Sequence, residues 1–294
     1  MTEAVKQSLI NGLNSCPKYI PTWYKYDLLG SELEHDCRDS EKNKDYYLYR
    51  CMVSCLQANI QDIVPDSQNC YTLVDLGSGN CSKTRHVIDQ LLKKQNHLSF
   101  YPLDISKEFL MRTADKLSQD YGEKLTIHPT AENYVNGIEK MSTDITQDET
   151  SILKAYDDVQ DFHFFSFFLF YIGLHKRFFL NSITRMNGEF GSQVNTDRFR
   201  YIVDFVSGPN SDISYVRAYL EAKDNVTFPI PGLGMELHMQ KNERLFFHEK
   251  DTGVSCKYTM EQIQTLTNRA GLQLTDTWTD DQRHAVICRC VKKN

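Results

Sequence analysis

The pattern of apolar and polar residues predicts strands that alternate with helices. Tyr71–Leu76 is a short apolar run rich in strand-forming side chains. After a turn with two glycines, Val87, Ile88, Leu91 and Leu92 recur at helical spacing. The rest of the sequence is organised around this strand, turn and helix.

The same patterns predict elements before and after this segment. We expect an amphipathic helix over residues 1–15, a helix over about 46–63, strands at 98–104, 125–128, 198–205 and 284–291, and helices at 211–222 and 257–270. The apolar run at 163–173 has too little polar alternation for a half-exposed strand and indicates a central strand covered on both faces. The alternation predicts an α/β fold with a doubly wound, Rossmann-like parallel sheet.

Composition and charge narrow the classes of function. The 294 residues carry a net charge of −6, which argues against a nucleic-acid partner, because neutralising phosphates needs a basic face. The nine cysteines follow no disulfide or zinc-ligand spacing, and the most apolar run is too short to cross a bilayer. We therefore expect a soluble, cytoplasmic monomer with reduced thiols, no metal and no membrane contact.

The turn after the first strand carries the candidate chemistry. Gly77 and Gly79 allow positive φ and leave no Cβ between the backbone and a ligand, while the following helix directs free N–H groups at the same crevice. A nucleotide-like cofactor suits this arrangement. Ser82 replaces a glycine that both the nicotinamide fingerprint and the P-loop require, which weakens those two interpretations. A turn that only joins a strand to a helix is the remaining alternative.

Two acidic residues favour a third cofactor class, S-adenosylmethionine. Asp75 precedes the turn, and Asp104 ends the next strand, 25 residues beyond Gly79. A carboxylate at that position can accept hydrogen bonds from both ribose hydroxyls. The alternative role for Asp104 is to cap the next helix, but Ser106 is the better candidate for the cap. Glu132 lies near the place where a third polar group would face an adenine ring.

Several separate stretches resemble one family. They are YDLLGSEL (26–33), DYY (45–47), DLGSGNCSKTR (75–85), YPLDIS (101–106), VRAY (216–219), VSCKYT (254–259) and WTD (278–280). In this order they resemble the histidine-specific N-methyltransferases of ergothioneine biosynthesis, a branch of the class I S-adenosylmethionine-dependent methyltransferases whose relatives include fungal indole-alkaloid N-methyltransferases. The match spans most of the chain, except for residues 131–195.

The resemblance implies a role for individual residues. The cofactor-binding set is Tyr26, Asp75, Gly77, Ser78, Gly79, Lys83, Asp104, Ile105 and Glu132, and the substrate-binding set is Tyr26, Tyr46, Tyr219 and Ser255. Among these, Tyr46 and Tyr219 are assigned to catalysis. Residues 1–65 would form a helical, aromatic cap that contributes to the substrate pocket, and residues 66–294 the methyltransferase domain, with 224–253 as a short insertion on the substrate side.

Two departures from the family pattern bear on the substrate. Leu174 stands where the family has an asparagine that holds the amino and carboxylate groups, and Gly253 stands where it has a glutamate that grips imidazole. The expected activity is methyl transfer to the amino group of a small aromatic amino acid or amine, with a tyrosine- or tryptophan-type substrate preferred over histidine. The alternatives are a catalytically weak or inactive cofactor-binding protein and an ATP-using P-loop protein.

Overall fold

The structure is a computed structural model that describes residues 2–38, 47–64, 66, 70–142, 150–154, 158–159, 172–207, 213–249 and 253–293. Its helices are α1 (Glu3–Asn14), α2 (Leu28–Arg38), α3 (Tyr47–Ala58), α4 (Ile60–Ile63), α5 (Thr84–Leu91), α6 (Lys107–Tyr121), α7 (Tyr134–Ser142), α8 (Ile172–Phe190) and α9 (Met260–Arg269). Its strands are β1 (Lys18–Tyr19), β2 (Tyr71–Leu76), β3 (Leu98–Asp104), β4 (Leu125–Ile127), β5 (Thr130–Ala131), β6 (Thr150–Lys154), β7 (Asp158–Val159), β8 (Phe199–Val206), β9 (Ser214–Ala222), β10 (Val226–Ile230), β11 (Met235–Met239), β12 (Arg244–Phe246), β13 (Ser255–Tyr258), β14 (Leu272–Thr279) and β15 (Val286–Lys292).

The chain divides into two compact units. The mixed-sheet unit comprises residues 1–25 and 158–263, and the glycine-turn unit comprises residues 26–157 and 264–294. These bounds differ from the sequence-based division at residue 65, and the assignment of residues 1–65 as a substrate-pocket cap stays a prediction. No helix within the described ranges is both long and apolar enough to cross a membrane.

The glycine-turn unit is built on a parallel sheet with the strand order β4–β3–β2–β6, in which β5 also pairs with β3. Alternate residues of the central strands face opposite sides, as the two-residue period of a strand requires. Leu73 and Phe100 join a buried cluster with residues of α5 and α6, while Val74 and Leu103 pack with Met141 of α7. Apolar side chains therefore cover both faces, which explains the continuous burial along β2.

The mixed-sheet unit is organised around β9. Strand β8 pairs antiparallel with the whole of β9, and β12 and β13 pair antiparallel with its two ends. Strands β1 and β7 extend this sheet by parallel pairing with β12 and β13. A separate hairpin, β10–β11, occupies much of the segment 224–253 that was predicted to be a substrate-side insertion.

Several sequence-based predictions need correction. Residues 211–222 were predicted to be helical, but 214–222 form β9, where Ser214, Val216, Ala218 and Ala222 are buried at strand spacing. The helix predicted from residue 257 begins at Met260 and follows a strand instead. A parallel sheet was expected for the whole chain, yet the sheet around β9 is mostly antiparallel. Because residues 211–222 were predicted to be a helix, the antiparallel pair β8–β9 was not predicted.

Other predictions are confirmed within the described residues. They include the N-terminal helix, the strand–turn–helix at 71–91, the strand Leu98–Asp104 and the strand beginning near residue 199. The α/β class is likewise confirmed. The predicted central strand at 163–173 lies outside the described residues, apart from Ile172 and Gly173, which begin α8.

Candidate active site

The turn between β2 and α5 has the backbone geometry that its glycines predict. Gly77 and Gly79 adopt φ of +73° and +53°. The N–H groups of Gly77 and Ser78 donate to the carbonyl of Leu103, at 2.8 and 3.0 Å. A Cβ on Gly77 would lie 2.7 Å from the hydroxyl oxygen of Tyr134. Glycine at this position therefore satisfies both the backbone angle and the close approach of Tyr134.

Asp104 lies beside this turn at the end of β3. Its Oδ2 accepts a hydrogen bond from the N–H of Gly79, and its Oδ1 accepts one from the N–H of Ser106, both at 2.9 Å. Burial raises the pKa of the Asp104 carboxyl, and the two backbone hydrogen bonds oppose that shift. Because each carboxylate oxygen has two lone pairs, Asp104 retains acceptor capacity for a pair of hydroxyl groups.

The turn forms one wall of a cavity of about 280 Å³. It is lined by Glu34, His35, Arg38, Tyr49, Asp75, Gly77, Ser78, Gly79, Asn80, Ser82, Lys83, Thr84 and Phe109. Asp75 is buried and accepts a hydrogen bond from the Thr84 hydroxyl, which ties the end of β2 to the start of α5. The hydroxyl oxygen of Ser78 is buried without a hydrogen-bond partner among the described residues.

Tyr26 joins the same region from the segment before α2. Burial has the largest effect and raises the pKa of the Tyr26 hydroxyl. The charge of Glu34 raises this pKa further, whereas the charge of Arg38 lowers it. Asp104 and Tyr134 are also among the groups that raise this pKa, so all of them lie within electrostatic range of the Tyr26 hydroxyl. The hydroxyl therefore remains protonated and can donate a hydrogen bond.

The remaining predicted cofactor residues also belong to the glycine-turn unit. Lys83 points its Nζ toward the sulfur of Met52 at 3.7 Å. Glu132 follows β5, and its N–H donates to the carbonyl of Asp104 at 3.2 Å. Ile105 follows Asp104 and exposes its side chain. Asp104, Ile105 and Glu132 thus lie at the ends of β3 and β5; they do not line the cavity itself, but Asp104 contacts Gly79, which does.

Sequence reasoning missed several residues of this region. The Tyr134 hydroxyl reaches the glycine turn, and Tyr49 contacts the hydroxyl of Ser82 at 2.5 Å. His35 and Asn80 meet at 3.0 Å on the lining of the cavity. The cluster of tyrosines before residue 50 was the one available signal, and it pointed to Tyr46, which lies outside the described residues.

Tyr219 and Ser255 belong to the mixed-sheet unit, on β9 and β13. The Tyr219 hydroxyl donates to Asp204 at 3.3 Å, and Asp204 also pairs with Arg217 through both carboxylate oxygens. The guanidinium of Arg244 lies over the Tyr219 ring, 4.7 Å from its centroid. Burial raises the pKa of Tyr219, and the Asp204 charge adds to that shift, so this hydroxyl is a phenol rather than a phenolate.

Ser255 pairs with Val216 across β13 and β9, so it lies on the opposite face of this sheet from Tyr219 and Asp204. The Ser255 hydroxyl accepts a hydrogen bond from the Nζ of Lys257 at 2.7 Å, and Lys257 is buried. A Cβ on Gly253 would lie 2.6–2.7 Å from Tyr215 side-chain atoms and the Val216 carbonyl oxygen. The backbone at Gly253 therefore leaves no room for a side chain. Leu174 lies in the first turns of α8.

His248 was not predicted and lies in the same unit. Its Nδ1 is 2.9 Å from the carbonyl oxygen of Glu249, which fixes Nδ1 as the donor. The other nitrogen, Nε2, is buried without a partner among the described residues. Burial lowers the pKa of His248, and the positive charges of Arg217 and Lys25 add to that effect. The imidazole is therefore neutral and has an available lone pair.

Comparison with known proteins decides the family. The model of the family "Histidine-specific methyltransferase, SAM-dependent" matches residues 5–147 and 141–292, which is nearly the whole chain. The chain belongs to this family. Its cofactor is S-adenosyl-L-methionine, and it is a methyltransferase.

The individual relatives are distant. The chain is 23% identical to the histidine N-alpha-methyltransferase of Mycolicibacterium smegmatis, an alignment that covers 95% of this chain and 92% of the relative. It is 28% identical to the 4-dimethylallyltryptophan N-methyltransferase of Claviceps purpurea over 39% of this chain and 33% of the relative. Ergothioneine biosynthesis protein 1 of Schizosaccharomyces pombe is 30% identical over 38% of this chain and 14% of the relative.

The residues of the glycine-turn unit fit S-adenosylmethionine. Three features suit a nucleoside: the Ser78 hydroxyl, which has no hydrogen-bond partner among the described residues, the open space beside Gly79, and the two-oxygen acceptor Asp104. When bound, this cofactor supplies a methyl group carried on a sulfonium. Which individual residues contact it stays a prediction.

Proposed function

We propose that this methyltransferase transfers a methyl group to the amino group of a small aromatic amino acid or amine. The family description and the names of the relatives, which concern histidine and dimethylallyltryptophan, support an amino group as the acceptor. The proposal goes further in the choice of substrate: a tyrosine- or tryptophan-type compound is preferred over histidine.

The amine must present a lone pair, because an ammonium has none to offer in an in-line displacement. The Asp204 carboxylate, which the Tyr219 hydroxyl and Arg217 hold in place, accepts a hydrogen bond from the substrate's ammonium group and helps its proton leave to solvent. Tyr219 keeps its proton and so serves as a hydrogen-bond partner that orients the amine. Tyr46 is assigned the same kind of role on the resemblance alone.

The proposed substrate preference rests on the crowding around Gly253. A hydrogen-bonding pocket strongly rejects ligands that cannot reproduce its bonds, and a glutamate at this position would select imidazole. The backbone here cannot hold a glutamate without moving Tyr215 or the Val216 carbonyl. Without that carboxylate, the imidazole of histidine loses a hydrogen-bond partner, whereas other flat aromatic rings do not need one.

A competition assay tests this proposal. Equal concentrations of histidine, tyrosine, tryptophan, tyramine and tryptamine are incubated with the protein and S-adenosylmethionine, and each methylated product is quantified by mass spectrometry. We expect a tyrosine- or tryptophan-type product to dominate. Histidine as the dominant product would overturn the preference. The absence of every product, together with calorimetric binding of S-adenosylmethionine, would favour the inactive cofactor-binding alternative.

The strand arrangement, the N-terminal cap and the cellular location are further parts of this proposal. We infer a doubly wound Rossmann-like arrangement, which the parallel sheet with both faces covered supports. For the cap proposed over residues 1–65, the part that begins at Tyr26 is supported by the position of Tyr26 and α2 beside Asp104. The nine cysteines, which form no disulfides, support a cytoplasmic setting, and the acidic net charge argues against a nucleic-acid partner. A monomeric state is part of the proposal without a structural argument of its own.

A further inference from the structure

Three side chains with metal-ligating atoms cluster in the glycine-turn unit, apart from the cofactor cavity. Cys51 lies on α3, while Asp280 and His284 lie on the connection between β14 and β15. The Cys51 sulfur is 3.9 Å from Nδ1 of His284, and this Nδ1 is 3.4 Å from Oδ2 of Asp280. All three ligand atoms lie within 4.8 Å of one another.

These separations are close to those around a tetrahedral zinc ion. Zn–S bonds of about 2.3 Å and Zn–N or Zn–O bonds of about 2.0–2.1 Å place sulfur and nitrogen about 3.5 Å apart, and nitrogen and oxygen about 3.3 Å apart. The observed 3.9 and 3.4 Å exceed these values by a few tenths of an ångström or less. Small side-chain rotations would close the cluster around an ion.

The surrounding groups hold two of these ligands in place. Asp280 accepts hydrogen bonds from the backbone N–H groups of Ala285 at 2.7 Å and Gln282 at 3.3 Å. These two hydrogen bonds fix the orientation of the carboxylate. The Tyr47 ring packs edge-on against His284, with centroids 4.8 Å apart. Such supporting contacts are typical of metal sites.

The chemistry of the cluster also suits a cation. The Cys51 sulfur and the Asp280 carboxylate lie within 4.8 Å of each other, so a divalent ion between them would be attracted to both. Binding of the ion releases the thiol proton to solvent.

We propose that Cys51, Asp280 and His284 bind one Zn²⁺ ion, with water in the fourth position. Thiolate and imidazole favour zinc over magnesium or calcium. The ion would link α3 to the β14–β15 hairpin. Because α3 also carries Tyr49 and Met52, which contact Ser82 and Lys83 of the glycine turn, this link would support the cofactor region.

Cobalt titration of the full chain tests the site without any assay of methyl transfer. The protein is stripped with a chelator, and Co²⁺ is added while thiolate-to-cobalt charge-transfer absorption is recorded. A chromophoric chelator then measures the zinc affinity by competition. The variants are Cys51→Ser and His284→Gln, and the controls are Cys70→Ser and His97→Gln, whose side chains are exposed in the same unit.

We expect one equivalent of metal and a charge-transfer band in the wild type and both controls. Cys51→Ser should lose the band, and both site variants should weaken zinc binding by about tenfold or more. The proposal is overturned if the wild type shows no stoichiometric binding, or if Cys51→Ser retains the band. It is also overturned if His284→Gln binds zinc as tightly as His97→Gln does. Circular dichroism of each variant confirms that it is folded.

Discussion

The glycine turn and the β9 sheet face, which carries Asp204, Arg217 and Tyr219, are held in place in two different ways. At the turn, backbone groups determine the geometry: Gly77 and Gly79 have positive φ, and N–H groups bind Leu103 and Asp104. On the sheet face, side-chain charges do so, since Asp204 holds both Arg217 and Tyr219. A backbone-built site is encoded in a short stretch, whereas a side-chain network requires residues that are distant in sequence.

Gly253 is an exception to this contrast, because it lies in the mixed-sheet unit and yet backbone geometry determines which residue fits there. We expect Gly253→Ala to destabilise the protein by about 3 kcal/mol, since the new Cβ would press on Tyr215 and the Val216 carbonyl. Urea unfolding measures the change. Gly188→Ala is the matched control in the same unit, where a Cβ meets open space within a helix, and it should stabilise by about 0.5–1 kcal/mol. Equal effects at both positions would contradict the packing argument.

Asp104 tests the turn itself. Asp104→Asn keeps the shape but removes the charge and one acceptor that ribose hydroxyls would use. We expect the binding free energy of S-adenosylmethionine to weaken by about 1–3 kcal/mol, as measured by calorimetry. Glu123→Gln, an exposed acid of the same unit, should leave the affinity unchanged. Retention of full affinity by a folded Asp104→Asn protein would remove Asp104 from the cofactor site.

Tyr219 and Asp204 test whether the sheet face behaves as a network. Tyr219→Phe removes the hydroxyl that donates to Asp204 and should cost about 0.5–1.5 kcal/mol of stability. Combined with Asp204→Ala, it should cost less than the sum of the two single changes, because both remove the same hydrogen bond. Chemical unfolding of the four proteins gives this cycle. Strict additivity would mean that the two side chains act independently.

His248 gives the smallest expected effect and concerns pH. Because burial, Arg217 and Lys25 lower its pKa in the folded protein, the unfolded chain binds this proton more readily. Stability should therefore fall as the pH drops through about 6.5, the pKa of an unfolded histidine. His248→Gln should flatten this part of the stability curve, measured by thermal unfolding between neutral and mildly acidic pH. Parallel curves for the two proteins would exclude His248 as the source.

Sequence reasoning was most successful where the signal was local. The strand, turn and acid at Asp75, Gly77 and Asp104 follow from neighbouring residues, and the structure places these residues together. It failed at β9, where a strand with arginine and tyrosine side chains resembles a helix after a turn. The sequence could not predict that Asp204 contacts Tyr219, or that His248 lies near the same sheet. These contacts depend on the pairing of β8, β9 and β12, which is known only once the register of the sheet is known.

The crowding at Gly253 also constrains how this protein can change over evolutionary time. The Val216 carbonyl that blocks a Cβ there also accepts the hydrogen bond from the N–H of Val254 at 2.8 Å, so it cannot retreat without breaking a rung of the β9–β13 ladder. A glutamate at residue 253 would require Tyr215 or the Val216 carbonyl to move before or together with the substitution. Intermediate sequences would be less stable, so a carboxylate at this position is hard to gain by one substitution at a time.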